Sequence, residues 1–203
     1  MTARRNVGLY FGSFNPIHMG HLIIANHMAQ STDLDEVWLV VTPQSPHKAK
    51  SALIAFGDRM QMVRLAISDN PALSATDVEA NLPEPHYTAA TMRHLRAAHL
   101  DLAFSIIIGE DNFETLHTWK DHEELLGEHR FLVYPRRTPD VPPPVQDAQA
   151  VSWDHPQVER CDAPMISISS TYLRQAILAN QDIRYLLPDK VLHYIGSNHL
   201  YEE

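Results

Sequence analysis

Between Leu102 and Ile108 the chain reads Leu-Ala-Phe-Ser-Ile-Ile-Ile, and its last three residues follow one another with no polar alternation. Successive side chains of a strand point to opposite faces, so this run must be covered on both sides, as an interior strand of a parallel sheet is. Parallel neighbours cannot be joined by hairpins; each pair needs a crossover, most often a helix. The rest of the chain supplies that alternation. Strands are predicted at Val7 to Phe11, Val37 to Thr42, Ser74 to Val78, Leu102 to Ile108, Phe131 to Tyr134 and Met165 to Ile168. Helices are predicted at His18 to Gln30, with Leu22, Ala25 and Ala29 on one side, and at Asp58 to Ser68, with Asp58 in N-cap position. Three more follow at Thr88 to Ala98, Thr171 to Ala179 and Asp189 to Ile195. The fold class is α/β: a doubly wound parallel sheet with a small helical C-terminal part, one domain over residues 1–203.

Composition narrows the function. Lys+Arg 16 against Asp+Glu 25 gives a net charge of −9, the opposite of the basic face that a nucleic-acid backbone or an anionic membrane selects. No apolar run reaches the roughly 18 residues of a membrane span. Arg4, Arg5 and the apolar stretch after them superficially copy a signal peptide, but Gly8, Gly12 and Asn15-Pro16 interrupt it and no small-residue cleavage site follows. The single cysteine, Cys161, cannot close an intramolecular disulfide, and the cytoplasm is the expected compartment. The histidines are scattered, without the spacing of a closed zinc site. Pro142-Pro143-Pro144 and the prolines around them make residues 135–156 an extended loop or connector.

Chemistry concentrates where predicted strands end. After the first strand comes Gly12-Ser13-Phe14-Asn15-Pro16-Ile17-His18-Met19-Gly20-His21. In an open α/β sheet the first turn between strand and helix is a phosphate site, with the helix N-terminus turned toward the anion. His18 and His21, three apart on a helix, face one space. Taken alone, such a pair is more often a polar helix end; joined to a Gly-Ser turn and a helix start it makes an anion site. This is neither a Walker A loop nor a three-glycine dinucleotide turn. Ser169, Ser170 and Thr171 open a later helix, where a hydroxyl can cap and Arg174, one turn in, can reach a polyphosphate. Gly109 and Asp111 follow the triple isoleucine, with a helix cap as the alternative for Asp111. Trp119 reads as core or as a stacking ring, and Pro46-His47-Lys48 as a loop cation site or an ordinary solvated loop.

The turn GSFNPIHMGH and the segment ISSTYLR together resemble the two signatures of the HxGH nucleotidyltransferases. SPHK at 45–48, HYTAATMRHL at 86–95, IIIGEDNFETLHTW at 106–119 and LLPDKVLHYIGSNHLY at 186–201 narrow the likeness to the bacterial nicotinate-nucleotide adenylyltransferases. Departures from that pattern are Phe11 for a glycine, Ser13 for a threonine, Asn15 for an aspartate, and His86 in place of the serine before Tyr87-Thr88. The resemblance implies a Rossmann-like fold and transfer of the adenylyl group of ATP to nicotinate mononucleotide, with Mg²⁺ carried largely on the ATP phosphates. It implies that His18, His21 and Arg174 stabilise the phosphates. Gly12, Ser13, Phe14, Ser169, Ser170 and Thr171 would hold ATP beside them, and Gly109 and Asp111 its adenosine. Lys48, Thr88 and Trp119 would take the mononucleotide, with the Thr88 amide for its carboxylate and the Trp119 ring for stacking. A nicotinamide-mononucleotide or other HxGH-type adenylyltransferase is the nearest alternative, and a non-enzymatic nucleotide sensor the alternative of a different class. A homodimer is compatible with the sequence, with neither nucleic acid nor membrane as partner.

Overall fold

The first strand, β1 (Arg5–Gly12), lies inside the sheet, with β2 (Glu36–Val41) on one side and β4 (Leu102–Gly109) on the other. The structure is a computed structural model that describes residues 4–44, 53–136 and 150–202. Its six-stranded sheet runs β3-β2-β1-β4-β5-β6, with β3 at Leu73–Thr76, β5 at Arg130–Tyr134 and β6 at Val158–Arg160, every pairing parallel. The winding goes outward from β1 to β3, returns to the middle, then goes outward again from β4. Its switch point is the gap between the carboxyl ends of β1 and β4, marked by Gly12 and Gly109. Ligands of doubly wound sheets bind in that crevice.

The isoleucine run explains the layering. Ile106 and Ile108 point into one apolar layer with Val7, Leu9, Met92 and Phe131, while Ile107 points into the other with Tyr10, Met28, Leu39 and Val63. Helices cover both faces. Helix α1 (Met19–Ser31), α2 (Phe56–Ile67), α6 (Ser170–Leu178) and α7 (Asp189–Ser197) pack on one side, and α3 (Thr88–Ala98) and α5 (His122–Glu128) on the other. A one-turn helix, α4 (Glu110–Phe113), caps the end of β4.

Two expectations need correction. Met165 to Ile168 is not a strand; the sixth strand is Val158–Arg160, and residues 161–169 run irregularly back to the sheet's carboxyl edge. Asp58 is not an N-cap, because α2 begins two residues earlier after Ala55, and the Asp58 carboxylate accepts from the Tyr194 hydroxyl on α7 at 2.8 Å. As expected, Leu22, Ala25 and Ala29 share the side of α1 that packs on the layer holding Ile107, with Ile24 and Met28 buried beside them. Of the Pro-rich stretch, residues 137–149 lie outside the described residues. Among those described, no helix is long and apolar enough to cross a membrane.

Candidate active site

The turn after β1 is built so that the ring of Phe14 folds back over its own strand. Phe14 sits in the left-handed region at φ 44°, and a Cβ on Gly12 would lie 2.7 Å from that ring. Gly12 is therefore required by the turn itself. Asn15, buried, accepts at Oδ1 from the Tyr201 hydroxyl at 2.9 Å, so the C-terminal segment holds the turn from outside. The chain then enters α1 through His18 in extended conformation.

His18 and His21 stack, with ring centroids 3.8 Å apart and planes 27° off parallel. The His18 backbone N–H donates to His21 Nδ1 at 3.3 Å, which leaves the proton of a neutral His21 on Nε2. Gly20 makes the pairing possible, since a Cβ there would sit 3.0 Å from the His18 ring and 3.1 Å from Ile166. Burial pushes the His18 pKa down to about 4, with the charge of Arg136 adding to the effect. Its Nδ1 is buried without a partner among the described residues. His18 is thus a neutral donor or acceptor near neutral pH, not an imidazolium.

The second helix start arrives at the same place. Ser169 caps α6, accepting from the Tyr172 N–H at 3.2 Å, and the Ser170 hydroxyl donates to the Pro16 carbonyl at 2.9 Å. Arg174 Nη1 donates to the Asn15 carbonyl at 2.8 Å. Gly12, Ser13, Phe14, His18, His21, Gly109, Ser169, Ser170, Thr171 and Arg174 all line one cleft of about 400 Å³ at the switch point. Its far wall carries the buried hydroxyl pair Tyr10 and Tyr134, 3.1 Å apart, and Arg136, whose guanidinium is 3.5 Å from Asp111. Asp111 lies in the first turn of α4, with Gly109 as the N-cap.

A second cavity, of about 380 Å³, adjoins the first and shares Phe11, Gly12, Ser13 and Trp119 with it. Thr88, the first residue of α3, lines it, and its N–H is one of those that a helix start leaves without an intrahelical acceptor. Trp119 stands between the two cavities, half-buried, lining both and packing against the apolar layer that holds Ile106 and Ile108. Lys48 lies outside the described residues.

Four groups here escaped the sequence reading. Arg59 is buried and donates to the carbonyls of Ser13, Thr42 and Pro43, each at 2.7 Å, tying the turn after β1 to the loop after β2. Burial lowers its pKa. Arg136 read as part of a Pro-rich loop. Glu79 lies between the predicted strand at Ser74 to Val78 and the next predicted helix and drew no reading, yet it is 1% exposed, and burial pushes its pKa above the ordinary carboxyl value. His86 registered only as a departure from a motif, yet it is buried and lines the second cavity.

The order β3-β2-β1-β4-β5-β6, with two helix starts and a paired HxGH turn at its switch point, defines a nucleotidyltransferase of the cytidylyltransferase-like family, whose model matches residues 9–176. Within it, the chain belongs to the nicotinate-nucleotide adenylyltransferase family. It is 46% identical to a probable nicotinate-nucleotide adenylyltransferase of Flavobacterium johnsoniae over 97% of this chain and 99% of that one. It is 39% identical to a protein of the same name from Bacteroides fragilis, over 91% of this chain and 88% of the other. The fold matches Plasmodium falciparum nicotinic acid mononucleotide adenylyltransferase complexed with NaAD, with a TM-score of 0.79 over 98% of both chains at 21% identity.

Proposed function

We propose that this chain transfers the adenylyl group of ATP to nicotinate mononucleotide, giving nicotinate adenine dinucleotide and pyrophosphate in NAD biosynthesis, in the cytoplasm. The observation that carries the reading is the continuity of the two cavities through Gly12, Ser13 and Trp119. One cavity is walled by groups suited to phosphates and the other by an aromatic ring and a helix start, so two substrates can meet end to end. The curated relatives bear the name of this activity.

An oxygen of the mononucleotide 5′-phosphate attacks the α-phosphorus of ATP, the new P–O bond forms, and the bond from the α-phosphorus to the bridging oxygen breaks, its electron pair leaving with pyrophosphate. A phosphate monoester, with a second pKa of about 6, is already largely dianionic at neutral pH, so the attacking oxygen needs no general base. What remains is positioning and charge. His18, His21, Ser13 and the amides of the two helix starts take the phosphates, while Arg174, fixed on the Asn15 carbonyl, presents its remaining N–H groups. The neutral imidazole of His18 donates without the cost of burying a charge before ATP arrives. Carried on the ATP phosphates, Mg²⁺ would supply neutralisation of their charge. The cleft fits an ion held by phosphate oxygens and water, for its donors are imidazoles, hydroxyls and a guanidinium, and the Asp111 carboxylate faces Arg136. The test is product identity: protein, MgATP and nicotinate mononucleotide should give a dinucleotide of the expected mass with one pyrophosphate per product. Hydrolysis of ATP to a mononucleotide and pyrophosphate instead would overturn the assignment.

A further inference from the structure

Asn15 carries the bond on which Arg174 rests, and its own side chain is held from outside the cleft. Its carbonyl accepts from Arg174 Nη1 at 2.8 Å, while its Oδ1 accepts from the Tyr201 hydroxyl at 2.9 Å and from the Ile54 N–H at 3.4 Å. The Ile54 contact is long for an N–H donor, so the tyrosine is the firmer of these two grips. Arg59 and Ser170 also hold this turn, but through the carbonyls of Ser13 and Pro16.

Tyr201 comes to Asn15 on a segment fastened around the cleft. The Leu186 carbonyl accepts from the Met19 N–H at the start of α1 at 2.9 Å, and past α7 the Leu200 N–H turns back to the Ile195 carbonyl at 3.1 Å. Tyr201 then sits at φ 67°, in the left-handed region that an aromatic residue seldom enters and that persists where the surroundings over-determine it. Its ring is buried in the apolar layer that holds Ile107, and burial keeps its hydroxyl protonated, a fixed donor to Asn15. Arg174 and Arg59 lie near enough for their charges to act on that hydroxyl. No step of the reaction chemistry uses it.

We propose that Tyr201 is a positioning residue for adenylyl transfer: its hydroxyl fixes the Asn15 side chain, and with it the carbonyl that sets the direction of the Arg174 guanidinium. This rests on the reading of the cleft as the ATP phosphate site. Side chain and carbonyl of Asn15 belong to one residue, so freeing Oδ1 lets the residue turn and the Arg174 acceptor move with it. A shift of about 1 Å in a group that faces the reacting phosphates is enough to slow the chemistry. Tyr201 is not among the residues that line the cleft, and a ring that merely filled space would do so without its hydroxyl.

The experiment measures kcat and KM with MgATP and nicotinate mononucleotide for the natural protein, Tyr201→Phe, Arg174→Ala and the double variant, with a urea titration of each as the check that it is folded. Tyr201→Phe should lower kcat about ten-fold while leaving the KM for nicotinate mononucleotide within about three-fold of the natural value. Added to Arg174→Ala, it should lower kcat by less than about three-fold, because the group through which it acts is gone. A natural kcat in folded Tyr201→Phe, or an equal fall with and without Arg174, overturns the proposal while leaving adenylyl transfer standing. No dinucleotide from the natural protein would instead overturn the reading on which the proposal rests. If Tyr201→Phe does not fold, Asn15→Ala, which removes the acceptor and keeps the carbonyl, is measured with and without Arg174 in its place: the same two falls are expected, and any other pattern overturns the proposal.

Discussion

Arg174 Nη1 donates to the carbonyl of Asn15 at 2.8 Å across 159 positions of sequence, so the guanidinium of the second signature rests on the turn of the first. One N–H is spent on holding the turn and others remain to face phosphate. Lysine has the charge but not the fork, and a single ammonium cannot do both. Arg174→Lys should therefore lower kcat/KM by about ten-fold or more, some 1.4 kcal/mol, with little change in the unfolding midpoint. Steady-state kinetics beside a urea titration would separate the two effects.

His18→Ala removes one donor from the phosphate cleft and leaves its stacking partner His21 in place. By comparison with loss of one preorganised transition-state donor, kcat should fall about 10²-fold, near 2.7 kcal/mol. Near-normal turnover by the folded variant would take His18 out of the mechanism.

The same residue gives stability a pH dependence. Unfolded, His18 takes up its proton near 6.5; folded, burial delays uptake to about 4. Acidification thus favours the unfolded chain, and His18 withdraws stability as pH falls from about 6.5 to 4, by about 3 kcal/mol over that window. Above pH 6.5 its contribution is flat. Unfolding of His18→Gln followed across this range should show a shallower acid slope than the natural protein, by that amount.

The β1 turn and the β2 loop are held by one buried cation. Arg59→Met would leave the carbonyls of Ser13, Thr42 and Pro43 without their donors. The expected loss is about 3 kcal/mol of stability, because buried acceptors left unpaired carry the whole desolvation cost. Because Ser13 lies in the cleft, KM for ATP should rise as well. A urea midpoint unchanged from the natural protein would show the loops held by other contacts.

How far the sequence reveals this arrangement depends on whether the information is local. Strands β1, β2, β4 and β5 are apolar runs that report their own burial, and His18, His21, Ser169 and Arg174 sit in short segments whose spacing carries the geometry. The sixth strand escaped because Val158–Arg160 is a three-residue edge strand with two exposed charged residues, which gives periodicity nothing to act on, while Met165 to Ile168 has the composition of a strand but pairs with none. Arg59 and Glu79 escaped for a different reason. Arg59 is a charged residue in a predicted helix and Glu79 one just past a predicted strand, and what buries each lies elsewhere: loop carbonyls 16 to 46 positions away for Arg59, the Thr91 hydroxyl 12 away for Glu79. Side chains satisfied by distant backbone leave no pattern in one dimension. Gly12 stands out in the sequence as part of a Gly-Ser turn, and only the structure shows that its missing Cβ makes room for Phe14.

The account stands most directly on the initial rate of pyrophosphate release from MgATP, measured in parallel with nicotinate mononucleotide, with nicotinamide mononucleotide and with no acceptor. It predicts release that waits for an acceptor and is faster with the acid. Release at the same rate without acceptor, or none with either mononucleotide from protein that still binds ATP, would contradict it.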